Sequence, residues 1–290
     1  QSLSYGVWAI NKRVPTIATI HHPVTVDRKI AIQSVFSPWE KMKQWRWYSF
    51  IGMQKRVSRS LPNIITVSKS AKEDISRDFN IPSEKFSIVP NGINTNLFYP
   101  ISEIESEKNR VIVTNSADTP LKGLLFLFQA VAELAKVQDI HVTVIGEPKK
   151  DGDIVTLVRE LGIGQRINFT GRIDDQEFVR QYARATVAVI PSVYEGFGLP
   201  AGEAMACGVP VISTTGGALP EVVGDAGVLV PPADSLALAG AIGELLGNPK
   251  KAKELGLAGY RRVKKHFTWE RAAEKTVDAY REVIDGHRRI

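Results

Sequence analysis

Residues 195–208, Glu-Gly-Phe-Gly-Leu-Pro-Ala-Gly-Glu-Ala-Met-Ala-Cys-Gly (EGFGLPAGEAMACG), decide how this chain is read. They follow an apolar run, Ala185 to Pro191 (ATVAVIP), with the length and β-branched content of a buried strand. A segment in that place lies at the carboxyl edge of a sheet, where open α/β folds bind their ligands. Pro200 suits the first position of a helix running on through Ala201 to Ala206. Gly196 and Gly198 allow a ligand to approach the backbone closely, and free N–H groups at a helix start favour an anion such as phosphate. Glu195 and Glu203 flank that position. Carboxylates repel phosphate, so both are expected to accept hydrogen bonds from hydroxyls, as an acidic side chain does from a ribose diol. Hydroxyl, phosphate and hydroxyl outline a sugar nucleotide.

Outward from this stretch the pattern is alternating α/β. Strand signals fall at Val111–Thr114, His141–Ile145, Ile167–Thr170, Thr186–Ile190, Val209–Ser213 and Gly227–Val230, with helices predicted at about 122–136, 153–161, 175–184, 200–206 and 218–223. Three more helices are expected at 234–247, 249–265 and 268–284. Before them, residues 1–98 show strand signals at Pro15–Ile20, Asn63–Val67 and Phe86–Val89, with helical stretches at Trp39–Arg59 and Ser70–Asp78. Asn94–Asn109, polar and acidic without a period, reads as the linker. A length of 290 residues fits two domains. The chain opens on QSLSYGVWAI, which has the character of mid-helix, and three strands do not make a full doubly wound sheet, so the first domain is expected to be incomplete.

The spacing EGFGLPxxE, with the following ACGVPVI, resembles the donor-site motif of retaining glycosyltransferases of family 4. The resemblance extends to Ser68-Lys69-Ser70, Pro90-Asn91-Gly92-Ile93, Lys122-Gly123, Gly216-Gly217 and Pro220-Glu221. It implies the GT-B fold: two Rossmann-like doubly wound domains facing across a cleft, the first of them incomplete here. The expected division is an acceptor-side domain at 1–98, a donor-binding domain at 99–265, and a crossover helix at 266–290, opened by His266-Phe267-Thr268-Trp269 and returning to the first domain.

The same resemblance implies the site. Glu195 is placed near the donor sugar and Glu203 on the ribose, with Gly196, Phe197, Gly198 and Leu199 giving backbone N–H groups to sugar and phosphate. Arg172 and Ile173 border the nucleobase. Lys122, read from TPLKGLLFL as lying in the first turn of a helix, meets the donor pyrophosphate and offsets an otherwise unfavourable place at the positive end of the helix dipole. Six positions earlier the family carries an arginine, and this chain has Ser116, whose hydroxyl does not replace a bidentate fork. His21, at the end of PTIATI, is assigned to the cleft near the reacting sugar in preference to His22. Catalytic roles are therefore expected for His21, Lys122 and Glu195. The implied reaction is transfer of a hexosyl group, with retention, from a UDP- or GDP-sugar to a glycan, lipid-linked or small-molecule acceptor, without a metal or other cofactor. A nucleotide-sugar-binding subunit of little activity and a GT-B sugar-nucleotide epimerase are the alternatives.

Other features are weighed against this reading. Asp151-Gly152-Asp153 matches the metal motif of a different glycosyltransferase fold, but acidic residues are common at helix starts. Glu195 and Glu203 also fit a glycosidase pair, which has no use for a phosphate site between them. The single cysteine, Cys207, excludes an intrachain disulfide and points to a reducing, cytoplasmic setting, in which Asn168-Phe169-Thr170 is not a glycosylation signal. A net charge of +6 suits an anionic partner. Ser37 to Arg59 carries six Lys or Arg against one Glu, interleaved with Trp39, Trp45, Trp47, Tyr48 and Phe50. That composition suits either a helix lying on the inner face of an anionic membrane or a domain helix whose aromatics are core, and it is read as no nucleic-acid site.

Overall fold

A computed structural model of the protein describes residues 3–114, 120–150 and 152–288. The chain divides into two compact units, Gln1–Gly92 with Trp269–Ile290, and Ile93–Thr268.

The first unit begins with α1 (Tyr5–Asn11), β1 (Ile17–Ile20), α2 (Val24–Gln33) and α3 (Pro38–Trp47). A 3-10 turn at Tyr48–Phe50 leads into α4 (Ile51–Ser60), and β2 (Asn63–Thr66), α5 (Lys69–Phe79) and β3 (Phe86–Ile88) follow. The strands form a three-stranded parallel sheet in the order β1-β2-β3, with Ile17 opposite Asn63 and Ile64 opposite Phe86. Successive residues of a strand point to opposite faces. Accordingly Ile64 packs with Ile75 and Phe79 of α5, while Ile65 joins Ala272 and Ala279 of the C-terminal helix. Burial on both faces is why Ile64 and Ile65, which point in opposite directions, are both apolar. Ser68 caps α5 by accepting from the Ala71 N–H at 3.0 Å, and Asn80, at φ 52°, closes it in the left-handed region.

The helix expected over 39–59 is broken. Tyr48 and Phe50 turn toward the first unit's core, which lets α4 bury Ile51 and Val57, whereas α3 buries no residue. Trp39, Trp45 and Trp47 remain 61%, 65% and 73% exposed. The core reading therefore holds for Tyr48 and Phe50 and fails for the three tryptophans.

The second unit contains β4 (Arg110–Thr114), α6 (Leu124–Leu134), β5 (His141–Ile145), α7 (Asp153–Glu160), β6 (Ile167–Phe169) and α8 (Asp175–Ala183). It continues with β7 (Val187–Ile190), α9 (Leu199–Ala206), β8 (Val211–Thr214), α10 (Leu219–Val223), β9 (Val228–Val230), α11 (Ser235–Gly247) and α12 (Pro249–His266). All pairings are parallel and the strand order is β6-β5-β4-β7-β8-β9. This is the doubly wound order whose direction of growth reverses between the first and fourth strands. Here that switch point lies between β4 and β7. The last helix, α13 (Trp269–Arg288), belongs to the first unit.

The two compact units meet between Gly92 and Ile93. The Ile93 N–H donates to Phe267 O at 2.7 Å, and the Phe98 ring stands edge-on to Phe178 and Tyr182. The predicted linker is likewise part of the second unit: Glu107 donates its N–H to Arg184 O and accepts the Thr186 hydroxyl. At the other boundary residues 266–268 stay with the second unit, so the helix that joins the first starts at Trp269. The two units are thus built on parallel α/β sheets of three and six strands, the first one small.

Candidate functional site

At the switch point the loops after β4, β7 and β8 are seated on one another by backbone contact. The Val193 N–H donates to Leu121 O at 2.8 Å, and the Ala218 N–H donates to Glu195 O at 2.8 Å. Three glycines make this possible. A Cβ on Gly123 would lie 1.9 Å from Pro191 O, one on Gly216 2.3 Å from Val193 O, and one on Gly217 2.3 Å from Glu195 O. Gly123 and Gly217 also have positive φ, at 69° and 62°, where a side chain is strained.

This seating brings two predicted site residues together. Lys122 Nζ donates to Glu195 Oε1 at 2.8 Å, and the Ser192 hydroxyl donates to the same oxygen at 2.8 Å. The Lys122 and Glu195 side chains are only 21% and 13% exposed, so their attraction is screened less than that of a surface pair. Lys122 is not in the first turn of a helix as expected. It ends a 3-10 turn, Pro120–Lys122, and the left-handed Gly123 caps α6 after it. Its charge is balanced by Glu195 and not left facing the helix dipole.

Gly198, at φ 97°, opens α9, and a Cβ there would meet Leu219 Cδ2 at 2.6 Å. The helix starts at Leu199, one residue before the proline that was expected to start it. Phe197 is buried and its ring packs edge-on to Phe267 at 5.6 Å, so its backbone is what it can offer a ligand; Leu199 is exposed. Glu203 lies one turn beyond Leu199, half-buried; its backbone carbonyl accepts from the Cys207 N–H, and its carboxylate forms no ion pair or hydrogen bond among the described residues. Desolvation raises its pKa from the ordinary 4.5 to about 7. Its charge in turn helps raise the pKa values of the buried Tyr182 and Cys207, for each of which burial is the larger cause. The buried Cys207 thiol is therefore poorly reactive.

The remaining predicted residues are placed as follows. Arg172 is exposed and Ile173 half-buried, after β6, where Gly171 at φ 66° bonds back to Gly146 O. Because β6 is two strands from β4, about 10 Å of sheet separates Arg172's strand from the one preceding Lys122. Ser116 and Asp151 lie outside the described residues. In the first unit His21 follows β1 and its ring is hydrogen-bonded to Asn91; partial desolvation, the larger effect, lowers its pKa and favours neutral imidazole. His22 instead engages Asp27. The two histidines thus have different partners, which their adjacency in sequence does not reveal. Sequence reading missed Ser192, whose only signal is its place one residue past Pro191, and the packing of Tyr182 near Glu203, which carries none.

Residues 1–97 match the family profile Glycosyltransferase Family 4, and residues 99–262 match Glycosyl transferases group 1. The chain is 41% identical over 288 residues, 98% of its length and 69% of the relative's, to an MMP alpha-(1->4)-mannosyltransferase of Mycolicibacterium hassiacum. It is 30% identical to a D-inositol 3-phosphate glycosyltransferase of Streptomyces bingchenggensis over 82% of this chain, which spans only 56% of that protein. Among solved structures, sucrose-phosphate synthase from Thermosynechococcus elongatus superposes with a TM-score of 0.80 at 28% identity, over 97% of this chain and 71% of that one. The Anabaena HepE structure with UDP and glucose shares the fold, with a TM-score of 0.75 at 19% identity over 96% of this chain and 74% of that one. Two parallel α/β sheets, the glycine-seated loops at the switch point and these matches across both units make the chain a member of glycosyltransferase family 4, of GT-B fold.

Proposed function

We propose that the chain transfers a hexosyl group, with retention of configuration, from a nucleoside-diphosphate sugar to a glycan acceptor, and that Lys122, Ser192 and Glu195 form the centre of its donor site. The observation that carries this reading is the Lys122–Glu195 pair at the switch point of the six-stranded sheet. A donor pyrophosphate competes with Glu195 for the lysine. Once Lys122 turns to the phosphate, Glu195 is free to accept from the sugar hydroxyls, and the lysine stabilises the charge that develops on the leaving nucleoside diphosphate. Backbone N–H groups from Gly196 to Leu199 assist the sugar and phosphate, Glu203 accepts from the ribose, and Arg172 with Ile173 borders the base. Neutral His21, held by Asn91, serves the reacting sugar as a hydrogen-bonding group and not as a cation. The departing phosphate takes the acceptor's proton, and no metal is required.

The 41% identity to an α-(1→4)-mannosyltransferase makes mannose the first sugar to test, with GDP and UDP as the first carriers. Cytoplasmic placement is part of the proposal and is supported by the lone buried cysteine. Among the described residues no helix is long and apolar enough to cross a membrane. The exposed tryptophans of α3, interleaved with Lys41, Lys43 and Arg46, support peripheral contact with an anionic bilayer and hence a lipid-linked acceptor.

The test is incubation of the full-length protein with a panel of UDP-, GDP- and ADP-sugars and mannan oligosaccharides, with product linkage read by NMR. Retained transfer in Glu195→Ala would sink the proposed site. Nucleotide binding without any transfer would favour a binding subunit, and a changed sugar without acceptor would favour an epimerase.

A further inference from the structure

The first unit holds an open pocket of about 520 Å³ whose lining includes none of the residues proposed for the donor site. One wall is a single face of α2, where Thr25, Arg28, Lys29, Ile32 and Gln33 recur at helical spacing. Lys55 of α4 and Asp78 of α5 complete it. The carboxylate of Asp78 is already engaged on both oxygens: the Thr25 hydroxyl donates to one and Arg77 Nε to the other. Arg28, Lys29 and Lys55 form no ion pair among the described residues. Arg28 and Lys55 are half-buried, and the Lys55 ammonium stands 5.7 Å from the Phe79 ring centroid, which favours a fixed position for it. Three cations and one carboxylate thus line the pocket, which leaves its wall net positive. Arg28 and Lys55 are partly removed from water, and an anion rich in acceptor oxygens offsets that desolvation cost through charge-assisted hydrogen bonds.

We propose that this pocket binds the phosphate group of a ligand through Arg28, Lys29 and Lys55, with Ile32 as the apolar wall for the organic part. Two sources carry that chemistry. One is a free phosphorylated small molecule. The other is the headgroup of an acidic phospholipid, a source made accessible by α3, which packs on α2 and presents its tryptophans outward. The pocket shares no residue with the Lys122–Glu195 pair, so its test does not depend on the donor reading.

The experiment is amide hydrogen exchange resolved by peptide, on the wild type and the Arg28→Gln/Lys55→Gln double variant, with inorganic phosphate or with phosphatidylglycerol vesicles, phosphatidylcholine vesicles being the control. Protection of α2 and α4 by inorganic phosphate, weakened roughly tenfold in the double variant, supports a soluble ligand. Protection by phosphatidylglycerol vesicles alone, lost in the double variant, supports the lipid source. Arg28→Lys keeps the charge without the fork and provides a second folded variant, expected to bind roughly threefold more weakly. Anion binding at the donor site is distinguished by its protection of residues 195–208. No protection of α2 by either probe, or equal protection in the double variant, would overturn the proposal.

Discussion

Glu195 and Glu203 stand eight residues apart in one motif and are held in opposite ways. Glu195 sits in a loop locked by glycine contacts, with a lysine and a serine hydroxyl on the same oxygen. Glu203 sits on α9 with its carboxylate desolvated and without a partner among the described residues, and its pKa rises to about 7. The first carboxylate is already satisfied, so a ligand must displace something to use it. The second is left short of hydrogen-bond donors, and a diol would supply them.

The largest effect should come from the glycine that seats the Lys122 loop. Gly123→Ala places a methyl group 1.9 Å from Pro191 O at a positive φ. It is expected to cost about 3 kcal/mol or more in urea denaturation and to reduce transfer severely. Gly162→Ala is the control: φ is also positive, at 67°, but no atom of the described residues lies within 4 Å, and about 1 kcal/mol is expected. Equal losses in the two variants would mean that the loop seating contributes nothing beyond backbone strain.

Next come the paired charges. Lys122→Gln or Glu195→Gln leaves the other group partly buried without its counter-charge, which should lower stability by about 1–2 kcal/mol. Removing transition-state charge stabilisation should lower turnover by about 10²–10³-fold. A turnover within threefold of wild type in either variant would break the contrast between the two glutamates.

Glu203→Gln tests the unpaired side. The native carboxyl binds its proton more tightly than the unfolded one, so wild-type stability is greatest near or below pH 4.5 on this account and is lost as pH rises through about 7. The variant should lack that slope and be more stable than wild type above pH 7 by about 1–3 kcal/mol. Donor affinity should behave conversely in the wild type. A ribose diol favours the ionised acceptor, so binding should tighten as pH passes through about 7, and the variant should lose this dependence. Parallel thermal-unfolding profiles for the two proteins would contradict it. The smallest effect is at Cys207, where burial raises the thiol's pKa: labelling by a disulfide reagent should track unfolding, and rapid labelling of native protein would show the α9 environment to be open.

Much of the second unit was legible in the sequence because its strands are short apolar runs separated by clear helical periods, as VIVT, HVTVI and TVAVI show. Glu195, Lys122 and the glycines stood out in the sequence as candidate site residues. Their contact was not, because it joins residues 73 apart and depends on β4 and β7 becoming neighbours at the switch point. The helix start was misread at Lys122 because Gly123 is a left-handed cap that no periodicity reports. α2 escaped notice for a physical reason of its own: Val24, Val26, Ile30 and Ile32 fall on a period of two, the signature of a strand, yet the segment is helical. The break between α3 and α4 was hidden because basic and aromatic residues continue across it, while the burial of Tyr48 and Phe50 alone makes the turn.

The central claim, that Lys122 and Glu195 act as one donor site, is tested most directly by a double-mutant cycle on kcat/KM for the nucleotide sugar. Wild type, Lys122→Gln, Glu195→Gln and the double variant would be compared. A coupling of about 1 kcal/mol or more, with the double variant hardly worse than either single one, is the expected result. Additivity within about 0.5 kcal/mol would contradict it, and would reduce the 2.8 Å contact to a structural ion pair.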